Sequence, residues 1–162
     1  MSEPASAPSH LSVLTPLGMV TLFADGDALI ALEWGQAPRA EGAPEAVLLA
    51  ARDQLARYFD GRLKRFDLAL AAAGTPFQRR AWVALSAIGY GKTVTYGALA
   101  ATLGSGPRAV ALACARNPLP IIVPCHRVVG ASGLGGYSGG DGLSTKRQLL
   151  TLEGVRVPEP AA

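Results

Sequence analysis

Glycine and proline fall at nearly every change of hydrophobic period in this 162-residue chain, and no stretch between them exceeds one short helix. That punctuation restricts the fold to short strands and helices joined by tight turns. In the first half, residues 11–16, 19–24 and 28–34 are short apolar or alternating runs, which read as strands. Gly18 and the Asp25-Gly26-Asp27 cluster separate them as hairpin turns do. After Ala43-Pro44-Glu45, residues 46–59 place Leu48, Leu49, Leu55, Tyr58 and Phe59 at helical spacing, and Gly61 closes that helix. Residues 66–70 read as one more strand, and Ala71-Ala72-Ala73-Gly74 as a linker. In the second half, Thr75-Pro76 opens a helix with proline at its first position. Phe77, Ala81, Trp82, Leu85 and Ile88 form its apolar face, and Gly89-Tyr90-Gly91 ends it. Thr95 caps a short helix that stops at Gly104. Pro107 opens another that runs to Ala115, where Asn117-Pro118 stops it. Two short helices across a glycine turn form a helix-turn-helix pattern. A glycine-rich hairpin and a last helix follow.

With 49% hydrophobic residues, the chain reads as globular and not disordered. No apolar run reaches the length of a membrane helix. The start, MSEPASAPSH, lacks the basic and apolar regions of a secretion signal, so the expected compartment is the reducing cytoplasm. Two cysteines make no disulfide framework, and the Cys and His residues form no four-ligand set, so no metal is expected. The net charge of +3 hides an asymmetry. Residues 1–74 hold 6 Lys+Arg against 9 Asp+Glu, whereas residues 75–162 hold 9 against 3. The basic half suits a polyanion, although a scattered solvated surface would give the same count. Arg79, Arg80, Lys92, Arg116, Arg127, Lys146 and Arg147 are its candidate phosphate contacts. Gly91-Lys92-Thr93 is not a P-loop, since Ser86 stands where that motif needs glycine. The glycine run 130–140 misses the dinucleotide fingerprint at Ser138.

Residues 121–123, Ile-Ile-Val, read as a buried strand that Pro124 ends. Cys125, His126 and Arg127 follow at once. A thiolate is a soft nucleophile, and an adjacent imidazole can take its proton. A third group would have to orient that imidazole. The other reading, a small buried hydrophobe, is the one given to Cys114.

The segment PCHRV, preceded by NPLPIIV and followed by SGLGGYSGG, resembles the signature of the O6-alkylguanine-DNA alkyltransferases, the methylated-DNA–protein-cysteine methyltransferases. FQRRAWVALSAIGYGKTVTYGALAATLG, PRAVALACARNP, KRQLLTLEG and TPLGMVTLFADGDALIALEW resemble the same family in the same order. The resemblance implies an α/β N-terminal domain (RNase H-like) and a mainly α C-terminal winged helix-turn-helix domain. The implied division is a disordered tail at 1–10, the first domain at 11–72, the DNA-binding alkyltransferase domain at 75–157 and a tail at 158–162. It also implies direct reversal of alkylation damage. Such a protein flips O6-alkylguanine from duplex DNA and takes the alkyl group once, irreversibly, on Cys125.

His126 would act as base through a water, and Glu153 on the last helix would orient it. Asn117 would be a hinge. Tyr96 would turn the nucleotide out, and Arg108 would fill the gap in the stack. Tyr137, Ser138 and the main chain at Val129 would line the base pocket. The implied partner is the minor groove of double-stranded DNA, bound by a monomer without cofactor, with cooperativity along DNA left open. The alanines of PRAVALACA suit a close approach to that groove. Two departures stand out: a shorter turn at GSGPRAV and a longer loop at SGGDGLSTK. A non-catalytic damage sensor and a cysteine hydrolase are the rival readings. The first is weakened by the full Cys125–His126–Glu153 set, the second by the basic helix pair.

Overall fold

The computed structural model describes residues 7–157. Three antiparallel strands come first, β1 (Ser9–Thr15), β2 (Gly18–Asp25) and β3 (Ala28–Trp34), in sheet order 1-2-3. Their short turns are the glycine-bearing positions that the sequence marks. One face of the sheet is covered by α1 (Ala46–Phe59), which buries Leu48, Ala51, Leu55 and Tyr58. These side chains meet Val20, Leu22, Leu29 and Leu32, all buried, in a single apolar core. Helix α1 has the bounds that the sequence predicts, because Pro44 and Gly61 bracket it.

The second half is mainly helical: α2 (Pro76–Ser86), α3 (Tyr96–Leu103), α4 (Pro107–Ala115) and α5 (Leu143–Leu152). Helix α2 begins with a capping box. Gln78 N donates to Thr75 Oγ1 at 3.1 Å, and Thr75 N donates to Gln78 Oε1 at 3.0 Å. Thr75→Ala is expected to destabilise the protein by about 1 kcal/mol, seen as a lower urea midpoint with an unchanged slope. Helix α3 is capped by Thr95 and ends on Gly104, whose φ of +64° is left-handed. The chain then turns through 101° into α4. Trp82 ties α2 to α4 by donating Nε1–H to Ala113 O at 3.0 Å. Among the described residues no single helix is long and apolar enough to cross a membrane.

Several local expectations are corrected by the structure. Residues 121–123 are a turn and not a strand. Val123 N donates to Leu119 O at 2.8 Å, Cys125 N donates to Val123 O at 2.8 Å, and Ile121 sits at φ +73°. An apolar triplet carries no information about whether a sheet edge lies beside it, and here none does. Residues 66–70 form only a bridge, Leu70 to Leu29, with Asp67 held by both ends of the Gln54 amide. The glycine-rich segment forms no hairpin. Instead β4 (Val94–Thr95) pairs in parallel with β5 (Val128–Val129), a long-range pairing that no local pattern announces. Strand β1 starts inside the segment read as a tail, with His10 opposite Phe23. Residues 1–6 and 158–162, the remainder of the two expected tails, lie outside the described residues.

Candidate active site

Cys125, His126 and Arg127 form a single 3-10 turn after Pro124, and all three are buried. Pro124 closes the preceding turn because it cannot donate, and the tight turn throws Cys125 and His126 to different sides. Glu153 caps the C-terminus of α5 and brings its carboxylate beneath this turn. His126 Nε2 and Glu153 Oε2 are 2.7 Å apart, with both side chains fully buried. Arg127 clamps the same carboxylate, Nε to Oε1 at 2.8 Å and Nη2 to Oε2 at 3.0 Å. Its third nitrogen, Nη1, donates to Ile88 O at 2.6 Å. Tyr58, from α1, donates its hydroxyl to Glu153 Oε2 at 2.6 Å. Gly91 N completes the set, donating to Oε1 at 3.2 Å. Gly91 is at φ +74°, and a Cβ there would lie 3.0 Å from Glu153 O, so only glycine lets the backbone approach.

Burial alone would raise the Glu153 pKa. The hydrogen bonds from His126, Arg127 and Tyr58 and the facing charges outweigh it and hold the carboxyl down at about 2. An ionised carboxylate only accepts, so His126 Nε2 carries the proton and Nδ1 presents its lone pair. Burial lowers the His126 pKa against the pull of Glu153, so the imidazole is neutral at pH 7. Nδ1 is buried and has no partner among the described residues. The Cys125 thiol is pushed up by burial, while Asn117 and the Lys146 charge pull it down.

A cavity of about 710 Å³ opens onto Cys125. Of the residues singled out in the sequence for the pocket, the hinge and base flipping, Tyr96, Asn117, Tyr137 and Ser138 line it. Asn117 holds the turn that presents the cysteine, donating Nδ2 to Val123 O at 2.8 Å and accepting from Leu119 N at 2.9 Å. The next carbonyl, Pro118 O, accepts from Leu32 N of β3 at 2.8 Å, so the turn after α4 is tied to the N-terminal sheet. Val129 is the exception. It lies opposite Thr95 in β5 and is not among the residues lining the cavity. Arg108 is exposed in the first turn of α4 and is not among the residues lining the cavity.

Two candidate phosphate contacts are excluded by burial. Arg127 is locked on Glu153, and Lys146 is fully buried. Lys146 Nζ donates to Val128 O and Leu134 O, each at 2.6 Å, and to Gly136 O at 3.1 Å. It thereby fastens the glycine-rich segment to β5 beside Cys125. Burial lowers its pKa to about 8, opposed by the two thiols. Charge sign alone had placed it on the surface. The spacing Lys146–Leu149–Leu150–Glu153 could have found it, since 3, 4 and 7 share one helix face. Tyr58 gave a similar signal, because a tyrosine on an apolar helix face needs a partner for its hydroxyl.

A buried thiol, next in the chain to an imidazole oriented by a carboxylate and opening into a cavity beside a helix pair, is the arrangement of nucleophilic cysteine chemistry. Comparison with known proteins makes the class specific. Residues 76–155 match the 6-O-methylguanine DNA methyltransferase DNA binding domain, and residues 12–72 match the ribonuclease-like domain of the same proteins. The methylated-DNA–protein-cysteine methyltransferase of Mycobacterium tuberculosis is 45% identical over 157 residues, covering 92% of this chain and 94% of its own. That of Methanosarcina acetivorans is 44% identical over 149 residues, covering 86% and 94%. Among solved structures, Mycobacterium tuberculosis OGT in complex with DNA superposes with a TM-score of 0.78 at 43% identity, covering 92% of this chain and 94% of that one. The chain belongs to the O6-methylguanine DNA methyltransferase family.

Proposed function

We propose that this chain repairs DNA by direct reversal, moving the alkyl group of O6-alkylguanine irreversibly to Cys125, one group per molecule. The observation that carries the reading is Cys125 at the wall of a cavity of about 710 Å³, followed in the chain by His126, which is held by Glu153. In this mechanism His126 Nδ1, acting through a water, takes the Cys125 thiol proton. Glu153 holds the imidazole in the tautomer that leaves Nδ1 free and stabilises the imidazolium as it forms. The thiolate attacks the alkyl carbon in line with the C–O6 bond. A C–S bond forms, the C–O6 bond breaks, and the guanine leaves with the electron pair and takes up the proton that His126 held. Because the thioether does not hydrolyse, the enzyme is spent. A free thiol is required, which suits a reducing cytoplasm.

The base reaches the thiol only out of the duplex. Helices α3 and α4 act as the helix-turn-helix, with the β4–β5 pair and the glycine-rich segment as the wing. The first half, residues 11–72, is the RNase H-like domain, and residues 75–157 are the DNA-binding domain. Arg108 enters the stack from the first turn of α4, and Tyr96 turns the nucleotide. Asn117 sets the hinge between α4 and the thiol, while Tyr137 and Ser138 hold the base. Ala111 and Ala115 are exposed on α4, which suits close approach to a minor groove by a monomer. Exposed Arg79, Arg80, Lys92 and Arg116 contact phosphates, so affinity falls with salt.

The test is intact mass after mixing the protein with a duplex that bears one O6-methylguanine. One added methyl per molecule, mapped to Cys125 and not exceeded with excess duplex, is the expected result. An unchanged mass with tight binding to the lesion duplex would instead make the protein a damage sensor.

A further inference from the structure

The cavity that opens onto Cys125 has both polar and apolar lining. Glu33, Tyr96, Asn117 and Ser138 supply polar groups. Ala31, Leu32 and Trp34 of β3, with Pro118 and Pro120, supply apolar surface. The Trp34 indole lies against Gly139. A Cβ at Gly139 would sit 2.6 Å from Trp34 Nε1, so the glycine-rich segment has no side chain where the indole enters. Trp34 lines this cavity, and its Nε1 is buried towards Gly139 with no partner among the described residues. Nothing in the catalytic steps above uses this residue.

We infer that Trp34 is a specificity-determining residue, the wall from the N-terminal sheet against which the departing alkyl group rests, and that it favours large flat groups over methyl. This rests on the alkyl-transfer reading of the same site. A guanine presents hydrogen-bonding edges, which belong against the polar groups. The transferred group is apolar, must lie beside the Cys125 sulfur, and belongs against the apolar surface. A cavity of about 710 Å³ is in the range that holds drug-sized ligands, so it leaves room beyond a methylated base. An indole beside an aromatic alkyl group gains stacking that a methyl group cannot give.

The experiment measures single-turnover transfer from two duplexes, one with O6-methylguanine and one with O6-benzylguanine, and takes the benzyl-to-methyl rate ratio. The proteins are the parent, Trp34→Ala and Trp34→Phe. Each ratio is internal to one preparation, so partial misfolding does not alter it. Trp34→Ala is expected to lower the ratio about tenfold, and Trp34→Phe, which keeps a flat ring, to stay within about threefold of the parent. A ratio that is unchanged or raised in Trp34→Ala overturns the inference while leaving alkyl transfer intact. Failure of the parent to take an alkyl group from either duplex overturns the alkyl-transfer reading and the inference with it.

Discussion

Glu153→Ala loses about 3–5 kcal/mol of folding stability, a large part of what a domain of this size possesses. The carboxylate is the common acceptor for Arg127, His126, Tyr58 and the Gly91 amide, and its side chain is fully buried. Removing it strands a buried guanidinium and leaves a phenol and an imidazole N–H without their acceptor. It also cuts a tie between α1 and the C-terminal half, because Tyr58 belongs to the first and Glu153 to the second. Urea unfolding measures this; a loss under 1 kcal/mol would mean that the donors find other partners. The same carboxylate makes stability depend on pH. Its folded pKa of about 2 lies below the ordinary 4.5, so its contribution is complete above pH 4.5 and is lost as pH falls towards 2. His126, held below 6.5 by burial, acts in the same direction, its contribution fading as pH falls below 6.5. The stability gap between the parent and Glu153→Gln therefore narrows as pH falls from 5 to 2.

The second large effect is on chemistry with the fold left standing. Cys125→Ser takes up no detectable methyl from an O6-methylguanine duplex, yet binds that duplex as tightly as the parent does. A serine hydroxyl ionises far less readily than a thiol, and His126 cannot supply the difference. The substitution is small, and the residue is 6% exposed, so stability changes by less than about 1.5 kcal/mol. Cys114 lines the same cavity, but burial pushes its thiol up to about 12, and no methyl is expected there. Intact mass and peptide mapping decide the point. A methyl on Cys114 in the variant would mean that the cavity, and not the Cys125 relay, selects the acceptor.

Local features were legible along the chain wherever their cause is local. Helix α1 at 46–59 and helix α4 at 107–115 have the bounds that proline and glycine mark, because starts and stops depend on φ and on missing N–H groups. Cys125 and His126 were legible as a thiol–imidazole pair because they are adjacent. The strand expected at 121–123 failed for a different reason. An apolar triplet needs a neighbouring strand, and instead Asn117 captures both the Leu119 amide and the Val123 carbonyl. Lys146 and Arg127 failed in the same way. Their charge is visible in the sequence, but their burial depends on which carbonyls and carboxylates the fold brings near.

The sequence by itself determined the punctuation of the elements, the acidic and basic halves, the thiol–imidazole pair and, through its motifs, the family. Tertiary structure alone decided that Tyr58, 95 residues away along the chain, would hold Glu153. It also decided that Lys146 would fasten the glycine-rich segment and that Trp34 would cross from the N-terminal sheet to wall the cavity. Caps, turns and neighbouring side chains follow from short-range sterics and hydrogen bonding. Contacts between distant segments follow from the packing of whole faces, which no single stretch of residues encodes.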